Sequence, residues 1–165
     1  MSISQVVNKI KPSATLSITS KVKQLRSEGV NVIGLSAGEP DFDTPEDIKL
    51  AAIESLKSGF TKYTPTSGII ELKKAICEKL SKENNISYTP QQVLTSCGAK
   101  QAIYNCLLAL CNDGDDVLIP APYWVSYPEQ VVLARGKSVF IESSDENDFK
   151  ITKSDIERNI TDKTK

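Results

Sequence analysis

An α/β architecture with a mainly parallel sheet is predicted for this chain, and three observations carry the prediction. Short apolar runs at 93–96, 117–120 and 138–142 alternate with amphipathic stretches of helical period, so helices rather than tight hairpins connect them. The turn TSCGAKQ, residues 95–101, leads from the first run into a helix in the manner of a strand–turn–helix unit. The 165 residues, 39% hydrophobic and 25% charged, contain enough apolar material for one globular core.

In chain order, residues 13–28 open at Ser13, place Leu16, Val22 and Leu25 among polar residues and stop at Gly29, which predicts a capped amphipathic helix. Residues 32–35, Val-Ile-Gly-Leu, predict a short strand. In AGEPDFDTPEDI, Thr44 offers an N-cap, Pro45 a first-turn residue, and Glu46 and Asp47 early acidic charges, so a helix is predicted from Pro45 to Gly59. FTKYTPTSG is too rich in Thr, Pro, Ser and Gly for regular structure. Ile69, Leu72, Ile76 and Leu80 then recur at helical spacing.

Beyond them the pattern predicts strand 93–96, helix 98–111, strand 117–120, helix 126–134, strand 138–142 and helix 154–159. The helix after Gly98 is apolar over most of its circumference and is predicted to lie buried against the sheet. About three strands are few for a doubly wound sheet, so the chain reads as the first part of something longer.

Composition narrows the chemistry. Twenty basic and twenty-one acidic residues leave a formal charge of −1, which offers no general attraction to nucleic acid or an anionic membrane. No apolar run reaches membrane-spanning length and MSISQVVNKIKPS lacks the order of a secretory signal, so a cytoplasmic location is expected. Cys77, Cys97, Cys106 and Cys111 show no CxxC spacing and the chain has no histidine. Zinc sites, a disulfide framework and Ser-His-Asp or Cys-His catalysis are therefore not expected, and no metal ligands are assigned. Neither GxGxxG nor GxxxxGK[ST] is present, which argues against a nucleotide-binding domain.

Seven residues at five places remain as candidates. At Gly98, Ala99 and Lys100 a glycine turn into a helix is compatible with a packing corner or with an anion cradle, since the first helical amides lack internal partners and carry the positive end of the dipole. Trp124, the one tryptophan, sits in a Pro-Tyr-Trp loop after a strand, where it could anchor packing or face a ligand. Gly38 reads as a turn glycine, Tyr63 as a loop aromatic and Lys11 as a solvated lysine on residue type alone.

The strings KPSATLSI, LSAGEPDFDTP, KYTPTSGIIELKKAI, GAKQAIYN and APYWVSYPE occur in this order along nearly the whole chain. Together they resemble class I pyridoxal-phosphate aminotransferases, most of all bacterial aspartate aminotransferases. The resemblance implies a fold-type I, three-layer α/β/α enzyme with a mainly parallel sheet that is incomplete here. It divides the chain into residues 1–45, an N-terminal arm and the start of a small domain, and residues 46–165, the first part of a large cofactor-binding domain.

It also implies roles. Gly98, Ala99 and Lys100 would hold the phosphate of pyridoxal 5′-phosphate and Trp124 would stack on its ring. Gly38 would offer its N–H to a substrate α-carboxylate, and Trp124 would border the substrate. Tyr63 would reach the cofactor phosphate of a second subunit, which implies a homodimer with shared sites. Lys11 would help bind long dicarboxylates such as prephenate. The implied reaction moves an amino group from L-aspartate to 2-oxoglutarate. The lysine that carries the cofactor, the acidic partner of its ring nitrogen and the arginine for the α-carboxylate would all lie beyond Lys165. Lys100 does not replace that lysine, because a phosphate turn is several bonds from the cofactor's aldehyde carbon. No catalytic residue is thus assigned within the chain, and the 165 residues alone are expected to be inactive. Another pyridoxal-phosphate reaction, such as a lyase or decarboxylase, and a non-catalytic piece that dimerises or binds a partner are the alternatives.

Overall fold

The computed structural model describes residues 2–36 and 38–165. In chain order its elements are α1 (Ala14–Ser27), α2 (Glu46–Lys57), α3 (Ile70–Asn84), α4 (Ala99–Leu110), β1 (Asp116–Pro120), α5 (Ser126–Leu133), β2 (Lys137–Ile141) and α6 (Lys153–Asn159). Residues 38–98 form one compact unit and the segments on either side of them form another.

In the second of these units, β1 and β2 run parallel with α5 as the crossover, pairing Asp116 with Lys137 through to Pro120 with Ile141. This is the expected alternation, because a parallel pair needs a helical connection. Ile119, Val131, Ala134 and Ile141 are buried between the strands and α5. Asp116 is buried with them, its carboxylate accepting from the Thr161 hydroxyl at 2.8 Å with Lys137 Nζ 3.9 Å away. Those partners offset the cost of desolvating the charge. On the other edge of β1, Asp116 N–H donates to Lys163 O at 2.9 Å and Lys165 N–H donates to Asp116 O at 3.0 Å.

Local signals place most helix ends. The Ser13 hydroxyl caps α1 by accepting from Leu16 N–H at 3.4 Å, and Gly29 follows the helix at φ +83°. Thr152 and Asp155 form a reciprocal capping box on α6. Hydrogen bonds from the Thr152 hydroxyl and N–H hold the Asp155 carboxyl below its ordinary value. At α2 the cap is Pro45, with φ −50° and ψ 143°, instead of Thr44, so the helix starts at Glu46. Glu46 and Asp47 still occupy its first turn.

Three expectations fail for one reason. Residues 32–35 form no strand; Ile33 and Leu35 are exposed, and the Val32 carbonyl accepts from Arg26 Nε at 3.2 Å and Nη2 at 3.0 Å. Residues 93–96 form no strand either, and Thr95 N–H donates to Ser67 O at 3.1 Å. Helix α4 holds no buried residue among those described; Leu108 and Leu110 are exposed, and its apolar side lines an open groove of about 280 Å³ with Val117 and Lys165. An apolar run becomes a strand or a buried helix only where a neighbour completes it, and a two-stranded sheet supplies too few.

Within residues 38–98, the irregular segment after α2 closes on Gly68 at φ +100°. A Cβ there would collide with the Thr95 side chain.

Candidate functional site

The turn that opens α4 is built for access. Gly98 has φ +84°, and a Cβ placed on it would meet nothing within 4 Å. The helix that follows is 12 residues long with no acidic side chain in its first turn. The helix start thus presents the positive end of its dipole with no acidic side chain in its first turn, while the Gly98 N–H before it donates to Ser96 O at 2.8 Å.

A second element meets Lys100. Beyond β1 the chain passes through a cis Ala121–Pro122 bond into the loop that carries Trp124. This loop lies at the carboxyl end of the parallel strands: Ala121 N–H donates to Ile141 O at 2.8 Å, the Ser143 hydroxyl donates to the Ala121 carbonyl, and Tyr123 stacks on Phe140 with centroids 4.9 Å apart. The Trp124 side chain is 57% exposed, and Lys100 Nζ stands 4.9 Å from its ring centroid. An ammonium over an indole face is attracted by the ring quadrupole. The Trp124 carbonyl accepts from Tyr127 N–H at 3.0 Å, so the loop continues directly into α5.

From α5, Gln130 Nε2 donates to the Lys100 carbonyl at 2.8 Å, and Glu129 Oε2 accepts from the Lys11 backbone N–H at 3.3 Å. Lys11, Lys100, Tyr123, Glu129 and Gln130 all line one open cavity of about 650 Å³. The structure thus gathers Lys11, Lys100 and Trp124 into one neighbourhood. Gly38 and Tyr63 belong to the unit of residues 38–98. Gly38 has open space where a Cβ would stand, and the Tyr63 side chain is fully exposed.

Glu129 and Gln130 were not among the residues singled out from sequence. Glu129 ends the string PYWVSYPE and Gln130 follows it. On a helix of mixed polarity both look like ordinary surface residues.

A positive-φ glycine with free space, the positive end of a helix dipole, a cation and an exposed aromatic face suit a flat ligand with an anionic arm. Pyridoxal 5′-phosphate fits that description. Among the described residues no cluster of three or more His, Cys, Asp or Glu could hold a metal ion, and no helix is long and apolar enough to cross a membrane.

Comparison with known proteins identifies the family. Residues 30–165 match the family "Aminotransferase class I and II". The probable aspartate/prephenate aminotransferase of Rickettsia typhi is 53% identical over 163 residues, which are 99% of this chain and 41% of that protein. The aspartate aminotransferase of Bacillus sp. strain YM-2 is 50% identical over 159 residues, 96% of this chain and 41% of its own length. Among solved structures, the Thermus thermophilus aspartate aminotransferase with maleate superposes with a TM-score of 0.94 at 44% identity, over 100% of this chain and 43% of that one. The chain therefore spans about two fifths of the length of these relatives.

Proposed function

The chain belongs to the class I and II aminotransferases, and from that premise we propose that it supplies the phosphate-binding and ring-stacking part of a pyridoxal 5′-phosphate site in an aspartate-type aminotransferase. The observation that carries the reading is the open Gly98 turn at the head of α4, with Lys100 set against the exposed Trp124 face.

In this reading the turn of Gly98, Ala99 and Lys100 holds the phosphate at the positive end of the α4 dipole, with the Gly98 N–H, which donates to Ser96 O at 2.8 Å, turning to the ligand only if that bond is exchanged. Trp124 covers one face of the cofactor ring and excludes water from it. When bound, the cofactor supplies an electron-withdrawing ring that carries an amino group between an amino acid and a 2-oxo acid. Gly38 offers its N–H to the substrate α-carboxylate, an approach that a side chain would block. Tyr63, fully exposed on its loop, reaches the cofactor phosphate of a second copy in a homodimer. Lys11 binds the distal carboxylate of longer dicarboxylates, from the cavity that Lys100 also lines. These residues bind and orient; no proton transfer is assigned to them.

L-Aspartate as donor is supported by the names of the relatives; 2-oxoglutarate as acceptor is what the resemblance to the family implies. The test measures oxaloacetate formed from those two compounds by the full-length gene product and by the isolated 165-residue polypeptide. Cofactor-dependent turnover by the former and none by the latter is the expected result. Release of ammonia or carbon dioxide instead of a transferred amino group, or turnover by the isolated polypeptide, would overturn it.

A further inference from the structure

The geometry points to Gln130 as a positioning residue for the phosphate end of the cofactor site, acting through the main chain of Lys100; the inference rests on residues 98–100 being that anchor. Gln130 Nε2 donates to the Lys100 carbonyl at 2.8 Å, joining α5 to the first turn of α4 across 30 residues of sequence. A carbonyl only accepts, so the amide must present its nitrogen there, and the position of Oε1 follows. Oε1 is buried and has no hydrogen-bond partner among the described residues. An unsatisfied buried acceptor costs free energy that an apolar side chain of the same shape would not. What the glutamine contributes is its donor.

That donor connects two parts of the proposed site. Trp124 is continuous with α5 through its own carbonyl, which accepts from Tyr127 N–H at 3.0 Å. Lys100 is held at both ends, its main chain by Gln130 and its ammonium 4.9 Å from the Trp124 ring centroid. The ring platform and the phosphate turn are therefore set against each other by this amide together with the Lys100 ammonium. Without it the first turn of α4 is held to the Trp124 loop only by its packing on α5 and by the Lys100 ammonium. A ligand that must engage both ends loses most.

The test compares affinities of the full-length gene product for pyridoxal 5′-phosphate and for pyridoxal, which lacks the phosphate. Gln130→Met keeps the unbranched shape and removes the donor. It is expected to weaken the phosphorylated ligand about fivefold, the scale of one neutral hydrogen bond, with less than about a twofold change for pyridoxal and an unchanged melting temperature. Gln130→Asn is one methylene too short to reach the carbonyl, and it gives the same split should the Met variant fail to fold. Equal loss for both ligands would mean a general structural role and would overturn the assignment, as would no loss. If the unmodified protein itself binds pyridoxal as tightly as its phosphate, the anchor at residues 98–100 fails, and Gln130's role with it. A wild-type preference for the phosphate that survives both variants sinks only Gln130.

Discussion

At Gly68 a Cβ would collide with the Thr95 side chain, whereas at Gly98 it would meet nothing within 4 Å, although φ is left-handed at both, +100° and +84°. The two glycines look alike in sequence, each following a small polar or thiol residue and preceding a helix. Their surroundings separate them. At Gly68 the missing side chain is filled by protein; at Gly98 the space is left open beside the first amides of α4. A glycine whose neighbour occupies the space serves packing; open space alone does not mark a ligand turn, since Gly29, Gly59 and Gly114 share it at positive φ, and Gly98 differs from them in standing at the head of α4.

Substitutions can break that contrast. Gly68→Ala adds steric overlap with Thr95 to the left-handed penalty and is expected to cost about 3 kcal/mol in denaturant unfolding. Adding Thr95→Ala should recover a measurable part of it, since the two side chains compete for one volume. Gly98→Ala carries the conformational penalty alone, about 1–2 kcal/mol, while its new methyl stands where the ligand approaches. Cofactor affinity should therefore fall more sharply than stability. Equal stability losses at both glycines would erase the distinction. Trp124→Leu, at a side chain that is 57% exposed, should leave stability within about 0.5 kcal/mol and weaken cofactor binding about fivefold through the lost aromatic stack.

The smallest effect concerns acid. The Asp155 carboxyl is held below its ordinary value of 3.8 by the Thr152 hydroxyl and then by the Thr152 N–H. A lowered folded-state value means the carboxylate stabilises the fold above pH 3.8 and that this contribution disappears as pH falls from there through the lowered value. Asp155→Asn should flatten that part of the acid unfolding curve, followed by circular dichroism. An unaltered curve would remove the α6 cap from the acid response.

Most helices were legible because their signals are local. The Ser13 cap, the Gly29 and Gly59 stops and the spacing of Leu72, Ile76 and Leu80 act within a few residues of chain. The β1–β2 pair was legible for a related reason, since the Val117 and Val139 runs flank a stretch of helical length. Residues 32–35 and 93–96 were not, because strand identity is conferred by a partner that an apolar run does not encode. The same limit applies to α4, whose apolar circumference predicted burial that the two-stranded sheet does not provide. In the site, Gly98 and Trp124 stood out by residue type and position. Gln130 did not, because its role depends on a carbonyl 30 residues away and its amide has no local signature.

We propose that these residues bind the cofactor and that none of them carries it covalently. Borohydride reduction in the presence of pyridoxal 5′-phosphate, followed by intact mass and peptide mapping, tests it on the full-length gene product and on the 165-residue polypeptide. One adduct per full-length chain, mapped outside residues 1–165, and no stoichiometric adduct on the shorter polypeptide are expected. A specific adduct at Lys100, or at any other lysine within these 165 residues, would contradict it.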